Sequence, residues 1–279
     1  MKQAMKLSGI FAGLLLSALL PISTGAQSAG EAAQVLDQAM AGAHRTPAFK
    51  ARDPYRHPKE TLLFFGFRPD MHVAEIWPGD GWYSEILAPA LRQRGRYYAA
   101  HYHFDEQLSK YRRERRQAYL DKLAKQPALY DRVVVTGLQA PQHTALAPRG
   151  TADLVLTFRN VHNWATDYGN EQAMFNAFFD ALKPGGVLGV VEHRAREGTT
   201  LEEMKRSGYM TESYVIALAE KAGFRLAAKS EVNANPRDTK DYADGVWTLP
   251  PSLRRGNVDR EKYLAIGESD RMTLKFVKP

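Results

Sequence analysis

Short apolar runs alternate along this chain with longer stretches whose apolar residues fall on one helical face. The runs at 73–76, 96–103, 132–136, 152–158 and 187–193 predict buried strands, each short and rich in β-branched or aromatic residues. The stretches at 31–44, 58–65, 83–94, 105–125, 170–182 and 211–222 predict helices. In the first of these, Val35, Leu36 and Met40 share a stripe; Pro58 can open the second and Gly66 can close it. Strands separated by helical crossovers predict a mostly parallel sheet, with a ligand at the carboxyl ends of the strands.

The first strand runs into Trp77-Pro78-Gly79-Asp80-Gly81-Trp82-Tyr83. Glycines at such a turn permit positive φ and let a ligand approach the main chain closely. On the carboxyl-end rule the loops at 79–83, 101–103, 159–164 and 192–194 converge there. The connector 45–57 adds Arg52, Asp53, Arg56 and His57 at the rim. The same reasoning predicts that Gly81→Val abolishes ligand binding in a protein that still folds.

Composition narrows the class. With 279 residues, 44% hydrophobic and 10% aromatic, the chain can build one α/β domain with a sizeable core. Lys2 and Lys6 precede an apolar run and the small residues Thr24 and Ala26, which reads as a signal peptide, 1–26. Export to the periplasm or outside the cell follows, with no stable membrane anchor after cleavage. The remainder divides into an N-terminal helix and connector, 27–57, and a domain, 58–279, carrying a lid-like insertion at 233–271. The absence of cysteine excludes disulfides, thiol nucleophiles and cysteine metal ligands. The formal charge of +7 is spread along the chain, and Arg112-Arg113-Glu114-Arg115-Arg116 reads as a solvated helix face, which argues against nucleic-acid binding.

Three pieces of the chain taken together carry a resemblance. They are Glu75-x-x-x-Gly79-x-Gly81 after the first strand, Asp153-Leu154-Val155-Leu156 running on to His162, and Leu182-Lys183-Pro184-Gly185-Gly186 before the fifth. This order resembles class I S-adenosylmethionine-dependent methyltransferases over about residues 58–277. It is similar in particular to a group of exported bacterial methyltransferases with a Glu-Ile-Trp-Pro-Gly-x-Gly-Trp-Tyr loop. The resemblance implies an α/β, Rossmann-like seven-stranded sheet, mostly parallel, with helices on both faces and the last strand antiparallel. The segments 223–232 and 272–277 would form its closing pair.

It also implies S-adenosylmethionine as cofactor, held by Glu75, Trp77, Gly79, Asp80, Gly81, Tyr83, His101, Arg159 and Asn160, and a small-molecule acceptor. His162 is the expected base, Glu192 and His193 a second acid/base pair, and Asn163, Trp164 and Arg271 substrate contacts. Trp247 and Asp241 would serve on the lid. The sequence departs from the family at two places. Trp77 stands at the first loop glycine, and His101-Tyr102-His103 stands where a carboxylate usually meets the ribose. The alternative reading is an exported, non-catalytic ligand-binding module that keeps the fold. His101, His103, His162 and His193 would make a metal site with Glu192 only if their rings met; no ligand spacing supports it, and no metal is assigned.

Overall fold

A computed structural model describes residues 24–106 and 108–279. Apart from its last three positions, the expected signal peptide lies outside the described residues. Seven strands form one sheet: β1 His72–Ile76, β2 Arg96–Tyr102, β3 Val133–Leu138, β4 Ala152–Phe158, β5 Leu182–His193, β6 Arg225–Ser230 and β7 Arg271–Val277. Their order is β3-β2-β1-β4-β5-β7-β6. The first five strands pair in parallel, and β7 runs antiparallel to both β5 and β6. This is the Rossmann-like sheet that the sequence implies.

Successive side chains of β1 go to opposite layers, as the two-residue period of a strand requires. Ala74 and Ile76 join a core with Trp164, Phe175 and Phe178, whereas Val73 joins one with Phe65, Leu87 and Leu156. Strand order reverses between β1 and β4, so their outgoing loops part and leave a crevice at the carboxyl edge.

The helices Ser84–Leu91, Glu171–Ala181 and Glu212–Lys221 fall inside the ranges read from periodicity. The polar helix begins only at Lys110, where Ser109 caps it through the N–H of Arg112. The helices Leu201–Ser207 and Arg260–Ile266 carry too many exposed polar residues to show an apolar stripe in the sequence. The Lys-Pro-Gly-Gly stretch is drawn into β5, because Gly185 N donates to Lys278 O at 2.8 Å and Lys278 N to Gly186 O at 2.9 Å.

The insertion between β6 and β7 is fastened to the domain. Asn233 Nδ2 donates to Thr61 Oγ1 and Thr273 Oγ1, each at 3.0 Å. Buried Asp238 accepts from Tyr209 Oη at 3.0 Å and from Asp270 N at 2.7 Å. Arg194, just after β5, grips Asp270 at 2.9 Å and reaches Glu231 at 2.7 Å. Among the described residues, no helix is long and apolar enough to cross a membrane.

Candidate functional site

The turn after β1 sits above a buried polar chain. Glu75 accepts from Tyr97 Oη at 2.5 Å, Tyr97 Oη lies 2.7 Å from Ser84 Oγ, and Ser84 Oγ 3.0 Å from Tyr119 Oη. Burial pushes the Glu75 carboxyl up to about 7, against the hydrogen bond from Tyr97. Tyr83 is buried too, stacked on Phe158 with ring centroids 3.7 Å apart. Both were expected at the cofactor; both instead support the loop from below, since neither lines any of the three clefts that meet at Asn163.

The two glycines have different duties. A Cβ added at Gly81 would come within 3.0 Å of the Tyr119 ring, so this glycine lets the helix Lys110–Lys125 pack on the turn. One added at Gly79 would meet Arg115 Nη2 at 3.1 Å, and Gly79 faces a cleft. Trp77 takes the left-handed region, φ +47, with its Nε1 donating to Leu138 O at 3.2 Å. Its ring packs on Tyr102, Trp164 and Tyr168.

Three further expectations are corrected. His101 is fully buried, its Nδ1 accepting from Tyr102 N at 2.8 Å and its Nε2 donating to Gly79 O at 3.2 Å. Burial pushes its pKa down to about 4, and no ring nitrogen is left for a ribose. Trp164 is fully buried against Phe178 and Phe175, because the turn Trp164–Tyr168 winds back toward the core. It presents no face to a substrate. Asp241, expected on the lid, is exposed and hydrogen-bonded to Thr239 Oγ1 on a different cleft.

At the ends of β4 and β5, Glu192 organises the polar centre. Its Oε1 accepts from His162 Nδ1 at 2.9 Å and from His193 N at 2.8 Å. Its Oε2 accepts from Val161 N at 2.6 Å and from His162 N at 3.3 Å. A carboxylate bound to Nδ1 places the proton there and leaves Nε2 of His162 as an acceptor. His193 Nδ1 lies 2.6 Å from Ser269 Oγ, and burial together with His162 and Arg159 depresses its pKa strongly. His162, Glu192 and His193 offer ligand atoms within 4.8 Å of one another. Glu192 is already engaged by four N–H donors, so the trio is a hydrogen-bonded unit rather than a ready cation cage. His101 and His103 do not join it; His103 stacks on His143 at 3.4 Å.

Arginines from distant parts of the chain gather beside the histidines. Glu268 receives Arg52 Nε at 2.6 Å, Arg56 Nε at 3.2 Å and Arg271 Nη2 at 2.9 Å. Arg271, expected to touch substrate, is buried and also donates to Tyr55 O, so it backs this cluster rather than facing the cleft. Arg159 lies at the end of β4 in the left-handed region, φ +59. Its N–H donates to Val191 O at 2.7 Å, and its carbonyl accepts from Asn163 Nδ2 at 3.3 Å. Sequence reading placed Arg52 and Arg56 only at the rim; pairing across more than two hundred positions leaves no local pattern.

Three adjoining clefts meet at Asn163. One, about 200 Å³, runs over the turn along Trp77, Gly79, Asp80 and Asn160 and shares Arg52, Arg56 and Arg159 with the third; the next, about 380 Å³, lies between Tyr102, Tyr111 and Arg112. The third, about 390 Å³, holds Arg52, Arg56, Arg159, His162 and His193 under Trp247 and Pro250. Asn160 donates Nδ2 to Ile76 O at 2.9 Å, tying the ends of β1 and β4.

No family model and no curated protein matches the chain. Solved structures do. A SAM-dependent methyltransferase from Aquifex aeolicus is 17% identical, covering 84% of this chain and 95% of that one, with a TM-score of 0.54. The fold is the methyltransferase fold. A Haemonchus contortus phosphoethanolamine N-methyltransferase in complex with S-adenosyl-L-methionine is 17% identical, with a TM-score of 0.53 over 81% of this chain and 53% of its own. The [4+2]-cyclase SpnF is 14% identical, with a TM-score of 0.51 over 80% of each chain. In the methyltransferase fold of this chain, the crevice at the β1/β4 reversal and the polar centre after β5 open side by side.

Proposed function

We propose that the chain is an exported S-adenosylmethionine-dependent methyltransferase acting on a small molecule, with His162 as general base. The observation that carries this reading is the His162–Glu192 pair, whose free Nε2 belongs to the cleft adjoining the one over the glycine turn. The signal-like start of the chain supports export.

The residues fit the cofactor. Two joined clefts of about 200 and 380 Å³ reach the usual volume for a ligand of this size. Gly79 keeps the turn clear of a Cβ, and buried Arg115 Nε has no hydrogen-bond partner among the described residues. Trp77, Gly79, Tyr102, Arg115, Asn160 and Asn163 would hold it. When bound, the cofactor supplies a methyl group made electrophilic by its sulfonium. His162 Nε2 takes the proton that the acceptor's oxygen or nitrogen releases, and Glu192 stabilises the resulting imidazolium; such a base contributes ~10²–10⁴ in rate. His193, kept neutral, lends a polar wall.

Titration calorimetry of residues 27–279 with S-adenosylmethionine and S-adenosylhomocysteine tests the cofactor, and His162→Gln tests the base. Micromolar binding of both ligands, with transfer lost in the variant, is the expected result. A second reading, a binding module that keeps the fold, is favoured by Trp77 at the turn and by the engaged ring nitrogens of His101. A folded protein that takes up neither ligand establishes that reading.

A further inference from the structure

We infer that the cleft beside His162 is a seat for a small oxyanion, a carboxylate or a phosphate or sulfate ester, and that the acceptor is anchored there by Arg159. The assignment to an acceptor rests on the methyltransferase reading; the anion seat itself does not.

The charges do not balance. Glu268 is the only acidic residue lining this cleft among the described residues, and Arg52, Arg56 and Arg271 already share it. Arg159 is a fourth cation, partly buried, whose guanidinium has no hydrogen-bond partner among the described residues. Burial and the charges of Arg271 and Arg52 hold its pKa down to about 10, so it stays charged at neutral pH. Cations crowded in a partly buried cleft repel one another, and a ligand oxyanion relieves that repulsion while accepting charge-assisted hydrogen bonds. A guanidinium offers a planar fork that matches such a group in two-point contact.

The backbone that carries the fork is held in place. Positive φ at a non-glycine residue is strained, and the strain persists only where the surroundings enforce it. Here the bonds to Val191 and Asn163 do so, and they set Arg159 three positions before His162 on the same loop. A group held by Arg159 therefore reaches the cleft that His162 lines, and Trp247, 6.2 Å from the His162 ring, roofs it.

The test is titration of the full chain with inorganic phosphate and, separately, with acetate, followed by calorimetry. Both should bind, and Arg159→Gln should weaken them about ten- to hundred-fold, with Arg159→Lys in between. Arg149→Gln, which alters an exposed pair with Asp180, should leave both unchanged. Tighter acetate would mark a carboxylate acceptor and tighter phosphate an ester. Absent binding, or binding indifferent to Arg159, overturns the inference. So does competition between phosphate and S-adenosylhomocysteine, because the seat would then belong to the cofactor's own carboxylate. Arg159-dependent phosphate binding in a protein that ignores S-adenosylmethionine would sink the methyltransferase reading and leave the anion seat standing. The converse would remove the seat alone.

Discussion

Glu192 holds His162 twice, by the ring at Oε1, 2.9 Å from Nδ1, and by the backbone at Oε2, 3.3 Å from its N–H. One carboxylate therefore sets both the position of the residue and the tautomer of its imidazole. In Glu192→Gln the amide nitrogen replaces an oxygen that accepts from two of the four N–H donors, leaving a buried clash of donors. The expected cost is about 1–3 kcal/mol of stability. The transfer rate should fall by ~10²–10⁴, the share of a correctly oriented base. Rapid-quench kinetics beside calorimetry would separate these effects: lower rate with unchanged cofactor affinity is expected, and an unchanged rate would dismiss His162 as base.

The glycine turn calls for two different substitutions. Gly81→Val places a branched side chain against the buried Tyr119 ring at φ +82, so it disturbs packing before it touches any ligand. A loss of about 2–4 kcal/mol is expected, which corrects the sequence-based expectation of a folded but non-binding protein. Gly79→Ala is the cleaner probe, because the nearest atoms are the mobile end of Arg115. Its strain is on the order of 1 kcal/mol, and S-adenosylmethionine affinity should drop with little change in Tm.

The buried Glu75 makes stability pH-dependent. Its folded pKa is raised to about 7 from an ordinary 4.5, so the folded chain keeps a proton that the unfolded chain releases earlier. Stability from this group is complete below 4.5 and is lost as pH rises through 7. Glu75→Gln keeps an acceptor for Tyr97 and removes the titration. Unfolding free energies from denaturant titration should match those of the parent near pH 4 and exceed them by about 2–4 kcal/mol near pH 8. Parallel curves across this range would show that Glu75 does not titrate there.

Glu268 behaves in the opposite sense. Burial raises its pKa, but Arg271, Arg56 and Arg52 prevail and hold it down to about 2. Its contribution is present above the ordinary 4.5 and disappears as pH falls through 2. Glu268→Gln strands the arginines together and should cost ~3–5 kcal/mol at neutral pH. Phosphate should restore part of the loss in urea denaturation, and by more than it stabilises the parent chain.

The sheet was legible because each strand is a compact apolar run and each crossover a periodic one. The histidine centre was legible in part, since strand ends at a switch point must face the same edge. Trp164 was misread because an aromatic residue in a polar loop looks like a stacking surface, yet the turn after Asn163 folds it inward. His101 was misread for a similar reason: no local pattern says whether a strand-end imidazole faces ligand or its own backbone. The arginine cluster is built by pairings such as Arg52 with Glu268, which only the tertiary fold brings together.

The Arg52–Glu268 and Arg56–Glu268 bridges join the connector near the start of the described chain to the segment entering the last strand. Whatever binds across them works as a clasp on the two ends of a long loop of chain. Its effect should therefore appear less in shape than in time. An occupied clasp delays the first opening of the molecule, so the ligand would lengthen survival against proteases more than it alters the resting conformation.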